Sequence, residues 1–309
     1  MELSLLLMQQ ICQLFIMVFF GYLLVKTKTL KSEDSKVLSK IALFVVTPCA
    51  ILTSFMIAFT PDKLFGLGLA VLGALIVHIV FIPLTRVLSK IFGFTPIEKA
   101  TIIYSNAGNL IIPLVGALLG KEWVLYTSGY MMVQTVLMWT HAKNLVCNEQ
   151  NYDLKKIFLN INVIAVSIGI IFFLLQIQLP ELVVTTIDRV GSMIGPLAMF
   201  VIGMLIGQMN IKDIFIKKRA YLISIMRLIV YPLIIILIFK FSGLTAISSD
   251  ANQIFLITIL ATSAPAAATI TQFAQLYDND PKYASSMNVM SVIFSIITMP
   301  LLVMLYQLL

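Results

Sequence analysis

Two short stretches of this chain combine side chains that can hold a small ligand with residues that interrupt a helix. The first is Tyr104-Ser-Asn-Ala-Gly-Asn-Leu-Ile-Ile-Pro113 and the second is Ala261-Thr-Ser-Ala-Pro265-Ala-Ala-Ala-Thr269. In the first, the amides of Asn106 and Asn109 can donate to an anion or accept from a ligand, Gly108 permits local unwinding, and Pro113 removes one backbone donor. A half-helix starting after such a break aims the positive end of its dipole at the site. In the second, Ser263 and Thr269 place hydroxyls on either side of Pro265. The run Ala266-Ala267-Ala268 lets two backbones approach closely. A proline kink with ordinary helix packing is the plainer alternative in both places.

Both interruptions fall inside apolar stretches of membrane length. The chain has 309 residues, 60% hydrophobic and 11% charged, against about 25% charged in a soluble domain. At about 20 residues per span there is room for ten transmembrane helices with short loops. The expected segments are about 5–25, 37–59, 64–85, 98–119, 123–142, 157–177, 187–208, 219–240, 252–275 and 284–307. The first lacks a small-residue cleavage site and reads as a retained helix. The expected fold is an all-α polytopic membrane protein, one transmembrane transporter domain over 1–309.

An internal repeat supports two halves of five segments, about 1–146 and 157–309. Val77-His78-Ile-Val-Phe-Ile-Pro83-Leu84 lies opposite Met226-Arg227-Leu-Ile-Val-Tyr-Pro232-Leu233, and Thr47-Pro48 opposite Gly195-Pro196. Ser105-Asn106-Ala107 then lies opposite Ser263-Ala264-Pro265, with a longer connection absorbing the change in offset. Five is odd, so the second half enters the membrane from the other side. Lipid cannot satisfy the backbone groups that a broken helix exposes. Paired breaks in the two halves of an inverted repeat therefore point to a binding site at the bilayer midplane, where segments 4 and 9 cross.

The net charge of +7 invites a nucleic-acid reading, but position explains it as topology. Lys and Arg gather in the connections after odd-numbered segments, among them Lys26, Lys28, Lys31, Arg86, Lys90, Lys99 and Arg219. The even-numbered connections carry one each: Lys63, Lys121, Arg189 and Lys240. This asymmetry places the first set in the cytoplasm and both termini outside.

Inside the segments the ionisable residues are few. Asp and Glu lie only near segment ends, so a buried carboxylate for sodium or proton coupling is not expected. Arg227 sits eight residues beyond Arg219, about 12 Å along the helix. His78 is its repeat partner, each five residues before a proline. The two basic positions suit attraction of an anion, or else snorkelling and structural pairing. Thr47 and Gln134 are further ligand candidates. Asn288, Ser291 and Ser295 can add hydrogen bonds between helices. Gly203-x-x-x-Gly207 reads as a packing face, within the chain or in a homodimer. Cys12, Cys49 and Cys147 have no paired spacing, so no disulfide, metal site or cofactor is expected.

The two broken segments, with Ser105-Asn-Ala-Gly-Asn-Leu-Ile-Ile-Pro-Leu114, Ala264-Pro-Ala-Ala-Ala-Thr-Ile-Thr-Gln-Phe-Ala-Gln-Leu-Tyr277 and Ser295-Ile-Ile-Thr-Met-Pro300, resemble the auxin efflux carrier family. That family includes malate and malonate permease-like proteins and the plant PIN exporters. The resemblance covers the whole chain. It implies ten helices in two inverted repeats, crossing at Asn106, Gly108, Asn109 and Pro113 in one half and at Pro265 and its neighbours in the other. The chain departs from the PIN pattern where Ala264 and Ala266 flank Pro265, since PIN proteins have Asn beside that proline.

The expected activity is secondary transport of a small organic anion, a dicarboxylate or an auxin-like monocarboxylate, across the cell membrane by alternating access. Transport is expected to be uncoupled or driven by the membrane potential. A sodium- or proton-coupled symporter and a carrier-fold sensor are the alternatives. An enzyme is not expected, because His78 and His141 stand on different segments with no acid or nucleophile placed beside them.

Overall fold

The computed structural model describes residues 2–56, 61–111, 114–115, 119–120, 123–147, 159, 161–208 and 218–309. Their regular structure is helical. Helix α1 (Glu2–Lys26) is followed by α2 (Ser32–Thr53), α3 (Pro61–Phe92) and the short α4 (Pro96–Ile103). After a break comes a wide-turned segment, Ala107–Ile111, and then α5 (Val124–Leu137), which continues through Met138–Ala142 and Lys143–Cys147. Next are α6 (Ile161–Leu175), α7 (Glu181–Gly207) and α8 (Lys218–Phe241). A second break separates α9 (Ala251–Ser263) from α10 (Ala268–Leu276), and α11 (Pro281–Leu308) follows.

Among the described residues α2, α3, α7, α8 and α11 are long and apolar enough to cross a membrane. Their outer faces suit hydrocarbon better than water: Ile79 is 67%, Leu182 80% and Ile297 66% exposed. At 32 residues, α3 outruns the expected 64–85. Its length of about 48 Å exceeds the roughly 30 Å of a hydrocarbon core, and the overhang carries Arg86 and Lys90 away from the apolar zone.

Prolines shape α2 and α8 without ending them. A proline ring clashes with the carbonyl four residues back. In both helices a wide π-type turn, Ala42–Val46 and Met226–Val230, immediately precedes Thr47-Pro48 and Tyr231-Pro232 and moves that carbonyl aside. The Thr47 hydroxyl then donates to the Ala42 carbonyl at 2.7 Å.

The Gly203-x-x-x-Gly207 face is occupied within the chain. It packs on α1, and a Cβ added to Gly203 would run into the Val18 carbonyl. Aromatic pairs fill the interior on the other side, with ring centroids 4.7 Å apart for Phe81 and Tyr231 and 4.5 Å apart for Phe239 and Phe255.

A polar girdle joins one end of the bundle. Glu98, expected near a segment end, is only 1% exposed. Thr95 and Glu98 form a capping box at the start of α4, which turns the carboxylate inward. There Glu98 accepts from Arg219 Nε at 2.8 Å and from the Tyr283 hydroxyl at 2.7 Å. The starts of α4, α8 and α11 are thereby tied together. A buried carboxylate exists after all, but it is matched by Arg219. Nearby, Lys36 pairs with Asp278 at 2.9 Å, and Asn279 donates to the Val146 carbonyl at 2.6 Å.

Candidate functional site

The two breaks meet. Pro265 lacks a backbone donor and holds Ala264 in extended conformation, which ends α9 at Ser263. Tyr104, after α4, is also extended. The two extended pieces run antiparallel, with Ser105 opposite Ala266. The backbone N–H of Asn106 donates to the Pro265 carbonyl at 2.8 Å, and that of Ala267 donates to the Tyr104 carbonyl at 3.0 Å. Alanines at 264, 266 and 267 leave room for this approach. The contact runs antiparallel, Tyr104 with Ala267, Ser105 with Ala266 and Asn106 with Pro265.

The outward-turned backbone groups of the bridge are held by side chains. The Ser105 N–H and hydroxyl donate to Gln134 Oε1 at 3.2 and 2.9 Å, and Gln134 Nε2 donates to the Ser105 carbonyl at 3.0 Å. In the other half, the Ala266 N–H donates to Ser291 Oγ at 3.0 Å, and Asn288 Nδ2 donates to the Ala266 carbonyl at 2.8 Å. The crossover thus satisfies its polar backbone in a place that lipid could not.

Arg227 is fully buried. Its Nη2 donates to the Ala264 carbonyl at 3.0 Å and its Nη1 to the Ile102 carbonyl at 3.4 Å. Both carbonyls lie at C-terminal helix ends, those of α9 and α4. A cation there meets the negative ends of two helix dipoles. Its Nε has no partner.

Beside the bridge lies a cavity with about 100 Å³ of free volume, enough for several waters or part of a small ligand. Of the expected site residues, Thr47, Asn106, Gly108, Gln134 and Thr269 line it. Asn106 is 4% exposed, and its Nδ2 has no hydrogen-bond partner. Gly108 keeps the wall thin, since a Cβ there would stand 2.8 Å from the Met131 methyl.

The remaining expected residues lie elsewhere. Ser263 turns back to the Ile259 carbonyl at 2.6 Å. Pro265 contributes its carbonyl to the bridge. His78 donates through Nδ1 to the Ala74 carbonyl at 2.8 Å, with its ring 5.9 Å from Tyr104 and 5.8 Å from Tyr130. Neither His78 nor Arg227 lines the cavity. Pro113 and the side chain of Asn109 lie outside the described residues.

Met131, Met132, Met138 and Trp139 also line the cavity. The sequence offered only an apolar run for them, which is equally a packing face. Only Met131 and Met138, three and four residues from Gln134, carried a signal in their spacing. Among the described residues no cluster of His, Cys, Asp or Glu is arranged to hold a metal ion.

No curated protein matches the chain. A family profile described as membrane transport protein matches residues 6–152 and 145–303. With these matches spanning nearly the whole chain, and the two broken helices pairing at their breaks, the protein belongs to the membrane transport protein family, that of the auxin efflux carriers and their PIN-like relatives.

Proposed function

We propose that this multi-pass membrane transporter moves a small organic anion by alternating access, with the substrate held at the crossover of the broken helices. The observation that carries the reading is the Asn106 amide, buried at the cavity wall with a donor left over. A buried donor without a partner is costly, and a carboxylate oxygen of the substrate would supply the partner. Thr269, Thr47 and the Met131–Met132 wall complete a pocket part polar and part apolar. That mixture suits a compact dicarboxylate or an aromatic monocarboxylate.

In this reading the whole chain is one domain of ten spans in two inverted five-span repeats. Five of the expected segments overlap helices long and apolar enough to cross a membrane, and the paired clamps of Gln134 on one side and Asn288 with Ser291 on the other support an internal two-fold relation. The termini lie outside the cell membrane. The contacts Glu98–Arg219–Tyr283, Lys36–Asp278 and Asn279–Val146 join connections that the Lys/Arg asymmetry assigns to one side. A homodimer remains compatible, though the Gly203 face is spent on α1.

Transport is uncoupled and follows the membrane potential. The carboxylate that is buried is matched by Arg219, so it offers no free cation ligand. A negative-inside potential favours anion exit by about 2.3 kcal/mol per charge per 100 mV. The test is uptake of labelled malate, malonate and indole-3-acetate into proteoliposomes under imposed potential, sodium or pH gradients. Flux that follows potential alone supports the proposal. Flux that requires a sodium or proton gradient makes the protein a symporter, and saturable binding without flux makes it a sensor.

A further inference from the structure

A second polar recess lies apart from the crossover cavity, with about 330 Å³ of free volume. It is lined by Thr85, Arg86, Ser89 and Lys90 of α3, Lys99 of α4 and His141 in the continuation of α5. Arg86 and Lys90 stand four residues apart and so share one face of the α3 overhang. No carboxylate lines the recess. Among the described residues Arg86, Lys90 and Lys99 form no ion pair. His141 is positioned from behind, its Nδ1 2.8 Å from the Tyr104 hydroxyl, which leaves Nε2 as the nitrogen for a ligand.

Three like charges gathered in one recess repel each other, and more strongly at a membrane edge than in bulk water. The arrangement is favourable when an anion with several acceptor oxygens sits among them. We propose that this recess binds a phosphate group, carried either by an anionic phospholipid or by a free phosphate anion. Basic recesses between membrane helices on the Lys/Arg-rich side are suited to phospholipid headgroups. The neighbouring α3 surface, with Val87 56% and Ile91 71% exposed, offers an apolar track for acyl chains.

The experiment measures binding to the purified full chain in a neutral detergent by thermophoresis. The probes are dioctanoyl phosphatidylglycerol, dioctanoyl phosphatidylcholine and inorganic phosphate. Phosphatidylglycerol is expected to bind saturably, and about tenfold more tightly than the zwitterionic lipid. Added salt should weaken that binding, as for any charge attraction near solvent. The triple variant Arg86→Gln/Lys90→Gln/Lys99→Gln should lose about tenfold in affinity, while Lys28→Gln/Lys31→Gln binds as the unmodified protein does. Should the triple variant not fold, Lys99→Gln alone is expected to weaken binding measurably. Competition by inorganic phosphate identifies a free-anion site, and its failure to compete identifies a lipid headgroup site. Equal binding by the basic-recess variant and the unmodified protein, or no saturable binding of either phosphate probe, overturns the proposal.

Discussion

Gln134 grips Ser105 by both of its backbone groups, accepting from the N–H at 3.2 Å and donating to the carbonyl at 3.0 Å. A single side chain from α5 therefore does for Ser105 what a neighbouring turn does inside a helix. It holds open a break that would otherwise expose two buried polar groups. The other half divides the same work between Asn288 and Ser291.

Gln134→Leu should destabilise the protein by about 2 kcal/mol or more, because each buried backbone group left unpaired costs roughly 1–3 kcal/mol. Thermal unfolding in detergent reads this as a lowered midpoint. A midpoint equal to that of the unmodified protein would mean that water or another side chain takes over the clamp.

Arg227 acts through the shape of its guanidinium as well as through its charge. Two of its nitrogens reach carbonyls on different broken helices, and a lysine ammonium lacks that planar fork. Arg227→Lys is therefore expected to cost about 1–3 kcal/mol of stability, although the charge is kept. If Arg227→Lys instead unfolds like the unmodified protein and only uptake is lost, Arg227 serves the anion and not the helix ends.

Much of this architecture is written in the residues because membrane helices must satisfy their own backbone. Both breaks were legible because Gly108 and Pro265 coincide with small polar residues, Asn106 and Ser263 among them, in the middle of apolar spans, whereas Pro83 stands alone in an unbroken helix. The register of their contact was not legible: a repeat offset relates equivalent positions of the two halves and does not say that Ser105 meets Ala266. Alanine carries no pattern that marks one position as the point of crossing. The cavity wall was half legible for the same reason. Polar Thr47, Gln134 and Thr269 stand out in an apolar span, while Met131, Met132 and Trp139 look like any packing face. Glu98 was placed near a segment end correctly, yet its burial depends on Arg219 and Tyr283, which arrive from distant parts of the chain.

The contact of α1 with α7 gives a sharp contrast between two glycines. Gly203 faces the Val18 backbone with no room for a Cβ, while a Cβ on Gly68 of α3 would meet nothing within 4 Å. Gly68→Ala should stabilise by about 0.5–1 kcal/mol through helix propensity. Gly203→Ala should destabilise by roughly 1–3 kcal/mol through overpacking. Melting midpoints that move in the same direction would contradict the close packing of these helices.

Asn106 offers a test in which stability and transport part company. Its Nδ2 donates to nothing in the protein, so Asn106→Ala removes a donor that the fold does not use, and the stability should change by less than about 1 kcal/mol. Substrate uptake below saturation should nevertheless fall about tenfold, the equivalent of some 1.4 kcal/mol of lost binding. The sign of the cargo is read by Asn106→Asp. A carboxylate at the cavity wall repels an anionic substrate, so this variant is expected to transport less than Asn106→Ala does. Were Asn106→Asp to transport more than Asn106→Ala, the cargo would be cationic or neutral. Unchanged uptake in both variants would remove Asn106 from the site and leave the cavity to its threonines and methionines.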